Sequence, residues 1–184
     1  VASSFQLYQE LGLRGAVNFP AFEQALKGFS RSASGQDRLL VLIDYTKPST
    51  EKRFYILDLL QKKLLLSTYV AHGRGSGDNY AVAFSNRPGS YQSSLGFFRT
   101  GDTYMGKNGY SLFLDGLEKG INDKARERAI VVHGANYADP AVLKGQQRLG
   151  RSLGCPALPP DISKQVIDTI KGGVLLYIYG LNKA

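Results

Sequence analysis

The chain of 184 residues is long enough for one globular domain with a substantial core. Its 43% hydrophobic and 21% charged content excludes wholesale disorder, and no run of about 18 apolar residues is present to span a membrane. A net charge of +8 invites anionic partners, yet the 23 Lys and Arg residues form no basic block and no RNP, zinc-finger or helix-turn-helix signature, so nucleic acid is not expected as a partner.

In chain order, Val1 in place of an initiator Met is the start expected of an exported chain whose leader has been removed. Phe5, Tyr8 and Leu11 suggest a short helix with Ser3 and Ser4 as caps. Phe22, Ala25, Leu26 and Phe29 recur at helical spacing behind Pro20, a good first-turn residue. Residues 30–37 are polar, contain Gly35 and read as a loop. The pattern then changes: 39–45 is a continuous apolar run typical of a buried strand, and 53–59 and 64–71 predict two more around a polar turn at 61–63. A glycine-rich loop at 73–77 leads into an irregular stretch, 79–93. Strands resume at 95–100, 111–114 and 129–133, with a single helical turn expected at 122–128. Ile162, Val166, Ile167 and Ile170 form an apolar helix face ended by Gly172 and Gly173, and 174–179 closes the chain as a strand. With 21 glycines and 11 tyrosines, the expected class is mainly β with peripheral helices, a β-rich α+β fold. It reads as one domain over 1–184, with 1–37 a helical N-terminal extension packed on it.

Two segments carry candidate chemistry. One is Ile130-Val131-Val132-His133-Gly134, a strand that delivers a histidine into a turn; the other is Gly150-Arg151-Ser152-Leu153-Gly154-Cys155-Pro156-Ala157. The gap between His133 and Cys155 lets the chain loop out and return. A thiol with a free pKa of about 8.5 needs a base to become a nucleophile, and His133 is the candidate. Gly154 permits close backbone approach, so the Gly154 and Cys155 amides are candidate oxyanion donors. The competing reading keeps the only cysteine as a small buried hydrophobe and satisfies His133 by backbone. On these residues alone both readings stand. With one cysteine no internal disulfide forms.

The His-Gly strand followed by Ser152-x-Gly154-Cys155 is similar to the signature of the YkuD-type L,D-transpeptidases. The Cys-Pro-Ala ending resembles the branch called the murein L,D-transpeptidase catalytic domain family. So do His72-Gly73-Arg74-Gly75-Ser76-Gly77, Phe84-Ser85-Asn86, the segment from Ser93 to Thr100, and Gly109-Tyr110-Ser111-Leu112. The resemblance covers roughly residues 38 to 180. Leu153 departs from the histidine common two places before the cysteine, and Ala157 from a basic residue.

The resemblance implies an L,D-transpeptidase (YkuD-like) catalytic fold and a thiol acyltransferase needing no cofactor and no metal. Its catalytic group is Cys155, His133, Gly154 and Ser152, acting on peptidoglycan stem peptides. D-alanine is released and an amine acceptor gives a cross-link; water as acceptor makes an L,D-carboxypeptidase, and a cell-wall-binding module without activity is the non-enzymatic alternative. Cys155 acylation by a carbapenem is implied as well. His72, Ser94, Arg99, Tyr110 and Arg151 are candidate substrate contacts, with Tyr104 as a further groove residue; Arg151 would raise the local positive potential. The expected setting is periplasmic or otherwise extracytoplasmic, as a monomer without stable membrane insertion. Two enzyme-site rivals are an ordinary cysteine peptidase and a zinc site of His72, His133 and Cys155, although their spacing lacks the short paired zinc motif.

Overall fold

The structure, a computed structural model, describes residues 3–32 and 37–182. Gly35 of the expected loop lies outside the described residues. Two N-terminal helices, α1 (Ser4–Glu10) and α2 (Phe19–Ser32), precede strands β1 (Leu39–Asp44), β2 (Phe54–Asp58) and β3 (Lys63–Thr68). After a long irregular passage come β4 (Gly96–Gly106), β5 (Gly109–Gly116), β6 (Val131–Gly134) and β7 (Ala157–Leu158), then α3 (Pro160–Ile170) and β8 (Leu175–Tyr179). Short 3-10 turns at Asn136–Ala138 and Pro140–Lys144 sit between β6 and β7.

The strands form one eight-stranded sheet in the order β3-β2-β1-β8-β4-β5-β6-β7. Its two ends approach each other. Beyond β3, Ala71 exchanges backbone hydrogen bonds with Ala157 of β7 at 2.8 and 3.3 Å, and Gly73 bridges to Ser152. The sheet therefore nearly closes into a barrel, and the closure lies beside the cysteine segment.

Side-chain alternation explains why β1 is apolar throughout. Leu40 and Leu42 pack with Tyr8, Leu13, Phe22 and Ala25 of the N-terminal segment, whereas Val41 and Ile43 face the other core with Phe98, Leu112 and Val132. β2 divides in the same way, Tyr55 and Leu57 to the helices, Phe54 and Ile56 inward. The apolar face of α3, Val166, Ile167 and Ile170, covers the inner core. Pro160 starts that helix, and the left-handed Gly172 and Gly173, at φ +84° and +107°, release the chain into β8. At the N-terminus Ser3 caps α1 by accepting the Gln6 amide at 3.1 Å.

The β4–β5 hairpin is longer than the apolar pattern indicates. Residues 101–106 add a polar arm paired to 109–112, steadied by Tyr104 stacked on Phe113 at 4.3 Å. Left-handed Gly109 (φ +83°) closes its tip, placing Lys107 and Asn108 at the turn. The single helical turn expected at 122–128 lies within a series of turns, which includes one α-type bond from the Arg128 amide to the Lys124 carbonyl at 2.8 Å.

Candidate active site

β6 carries His133, and β7 pairs with it in parallel so that His133 lies opposite Ala157. Two residues before each partner stand Val131, which opens β6, and Cys155, just ahead of β7, and the Val131 amide meets Cys155 Sγ at 3.5 Å. Strand register thus brings His133 and Cys155 together on one cavity of about 350 Å³, which Ser152, Leu153, Arg128, Arg151, Tyr104 and Lys107 also line.

His133 is 3% exposed, and its Nδ1 lies 2.9 Å from the Gly134 carbonyl. A carbonyl only accepts, so Nδ1 carries the proton and Nε2 is the basic nitrogen. Burial holds the ring's pKa below its ordinary value, with the Gly134 bond opposing. Cys155, 9% exposed, donates through Sγ to the Ala129 carbonyl at 3.4 Å. Burial pushes its thiol up, against the Val131 amide and the charges of Arg128 and Lys107, which pull it down. At rest the pair is therefore a neutral thiol beside a neutral imidazole. Ala129, whose carbonyl takes the thiol, is itself left-handed at φ +55°.

The cysteine turn is built by Ser152. Its Oγ donates to the Cys155 carbonyl at 2.6 Å and accepts the Gly154 amide at 3.1 Å. The Gly154 amide is thus already engaged, whereas that of Cys155 has no hydrogen-bond partner among the described residues. Gly154 is held at φ +128°, a backbone region suited to glycine.

The other expected contacts separate. Arg151 lines the cavity and pairs with Asp78 at 3.2 Å. Tyr104 lines it too. Tyr110 borders a neighbouring cavity of about 460 Å³ and donates to Asp168 at 2.6 Å. Ser94 is buried and accepts from Arg128 at 2.8 Å. Arg99 donates to the Gly173 carbonyl at 2.8 Å and lies away from the cavity. His72 is fully buried, with Nδ1 2.9 Å from the Arg53 guanidinium and Nε2 3.2 Å from the Gly77 carbonyl; it does not line the cavity. Its backbone carbonyl does reach the site, accepting the Ser152 amide at 2.9 Å. No group of three or more His, Cys, Asp or Glu side chains placed to hold a metal ion occurs among the described residues.

Arg128 joins the site without any motif in the sequence to mark it. Its guanidinium donates to Ser85 O at 2.7 Å, Ser94 Oγ at 2.8 Å, Ser90 Oγ at 3.1 Å and Gln92 O at 2.8 Å, fastening the irregular segment against the cysteine turn. Lys107 and Asn108, at the hairpin tip, are likewise unmarked in the sequence; both border the two cavities.

No curated protein sequence matches the chain. Among solved structures it is similar to the helical cell shape determining protein Pgp2 of Campylobacter jejuni, at 15% identity and a TM-score of 0.51 over 80% of this chain and 50% of that one. It is also similar to L,D-transpeptidases of Stackebrandtia nassauensis (13% identity, TM-score 0.48, 97% and 77% covered) and Mycobacterium smegmatis (13%, 0.47, 78% and 59%). At 15% identity the likeness to Pgp2 is one of fold, and the chain spans about half the length of Pgp2. The sequence profile of the L,D-transpeptidase catalytic domain matches residues 13–179, from ahead of α2 to the end of β8. The chain therefore belongs to the L,D-transpeptidase catalytic domain family.

Proposed function

We propose that this domain is a peptidoglycan L,D-transpeptidase with Cys155 as nucleophile and His133 as general base. The observation that carries the reading is the shared cavity, lined by Cys155 and by a histidine whose Gly134 contact leaves Nε2 unprotonated. The thiol leaves the Ala129 carbonyl and gives its proton to His133 Nε2 as Sγ bonds to the carbonyl carbon of the third stem residue. The Cys155 amide, without a partner among the described residues, supplies a donor to the resulting oxyanion. Collapse breaks the C–N bond, and the imidazolium protonates the departing D-alanine amine, leaving a thioester. An acceptor amine then attacks the thioester, losing its proton to His133, and the thiolate departs and is reprotonated. Water in place of the amine gives the L,D-carboxypeptidase outcome. A cell-wall substrate of this kind places the domain outside the cytoplasm.

The test is intact-mass analysis with purified disaccharide-tetrapeptide. The wild type is expected to form a thioester adduct and to release cross-linked dimer or trimmed tripeptide. Cys155→Ala is expected to form neither, and full activity in that variant would sink the assignment.

A further inference from the structure

The wall of the cysteine cavity carries three cations, Lys107, Arg128 and Arg151, and no aspartate or glutamate. Two of these are committed to the protein. Arg128 uses four hydrogen bonds on Ser85, Ser90, Gln92 and Ser94. Arg151 pairs with Asp78 and reaches the Gly77 carbonyl at 3.2 Å. Lys107 makes no hydrogen bond or ion pair among the described residues. It stands at the tip of the β4–β5 hairpin, and its charge acts on Cys155. A ligand lying against the sulfur therefore meets one uncommitted ammonium on a flexible stem.

In an acyl donor that releases a free α-amino acid, the terminal carboxylate is only three covalent bonds from the carbonyl under attack. We propose that Lys107 is a specificity-determining residue that pairs with this carboxylate, so that the domain selects donors whose leaving residue ends in a free acid over donors amidated there. This rests on the transpeptidase reading for the reaction, but the charge preference belongs to the cavity itself. Arg128 and Arg151 add positive potential without surrendering their own partners, while Lys107 forms the direct pair.

The experiment compares a stem tetrapeptide acid with its C-terminal amide. In the wild type, kcat/KM for Cys155 acylation is expected to favour the acid by about tenfold, the range of one charge-assisted hydrogen bond. Lys107→Ala removes most of that ratio, the acid losing far more than the amide, and Lys107→Arg restores it. Equal losses for both donors, or an unchanged ratio, overturn the proposal. Calorimetric binding of the same two peptides to Cys155→Ala, with and without Lys107→Ala, reads the preference without turnover. Selective binding of the acid by a protein that acylates with neither peptide refutes the transpeptidase reading and keeps Lys107. Acylation with equal binding of both peptides refutes Lys107 alone.

Discussion

Ser152 ties the cysteine turn to itself, its Oγ donating to the backbone carbonyl of Cys155 at 2.6 Å. The same oxygen accepts the Gly154 amide, and the Ser152 backbone is gripped on both sides, by the His72 carbonyl at 2.9 Å and the Arg74 amide at 2.8 Å. Ser152→Ala keeps the backbone bonds but strips partners from two buried groups. We expect a loss of about 1–3 kcal/mol in urea unfolding. Because a small misplacement of a reacting group is expensive in rate, Cys155 acylation should fall about 10- to 100-fold. Ser152→Thr retains the hydroxyl and should recover most of the rate; failure to do so would mean that the hydroxyl does not set the turn.

Gly154 supplies a sharper test of the same turn. A Cβ there would lie 3.0 Å from the Gln92 carbonyl and from Ile130 Cδ1, on a backbone at φ +128°. Gly120 is also left-handed, at φ +79°, but a Cβ there meets nothing within 4 Å. Gly120→Ala should cost only the conformational term, about 1 kcal/mol. Gly154→Ala adds contact strain, and about 2–4 kcal/mol is expected, with acylation lost. Equal destabilisation of the two variants in urea would show that crowding at Gly154 is unimportant.

The residues that sequence makes visible are those whose signal is local. Helical spacing announces α2 and α3, the apolar runs announce β1 and β8, and Cys155 and His133 stand in short segments that resemble a known signature. Arg128 leaves no such trace, because its four acceptors come from residues 85–94, far away in sequence. His72, a candidate contact through the family resemblance, has its Nδ1 taken inside the core by Arg53, a partner nineteen residues away that no local pattern marks. The hairpin arm at 101–106 escapes because its own residues include two glycines and Asp102 and carry no apolar run, although they pair with Tyr110, Ser111 and Leu112. Of the two departures from the family pattern, Leu153 is 51% exposed at the cavity. Ala157 is fully buried, packed with Ala71 and Ala138 where the sheet closes, so a basic side chain at this register would be taken into the core.

His72 should make the fold acid-sensitive. The guanidinium of Arg53 only donates, so Nδ1 is unprotonated and Nε2–H donates to Gly77. Burial, then the Arg53 charge, lowers its pKa to about 3. The unfolded chain binds a proton near pH 6.5 that the folded chain refuses until about pH 3. This stability is fully present above about pH 6.5 and is lost as pH falls through that window, at up to about 1.4 kcal/mol per pH unit. The lowered His133 acts in the same direction. His72→Asn keeps an acceptor for Arg53 and does not titrate. Urea midpoints should show it less stable at pH 7 but with a shallower decline between pH 6.5 and 5; an unchanged slope would assign the acid sensitivity elsewhere.

Arg128 has two separable effects on Cys155. Burial raises the thiol, whereas the Val131 amide, Arg128 and Lys107 lower it, with burial the largest influence. Iodoacetamide alkylation of the wild type should therefore rise with pH through a midpoint above the free-thiol value of about 8.5. Arg128→Met removes both the charge and the four bonds to the 85–94 segment. Its midpoint should move further up, with the alkylation rate at pH 7.5 falling below wild type as the thiolate loses a stabilising charge. Arg128→Lys keeps the charge without the planar fork, so its midpoint should return toward wild type while its urea stability stays reduced. Added salt should raise the wild-type midpoint only slightly, because a half-buried cation beside a buried sulfur is poorly screened. Matching midpoints for wild type and Arg128→Met, with stability alone reduced, would leave Arg128 as a fastener of the loop and remove it from the electrostatics of the thiol.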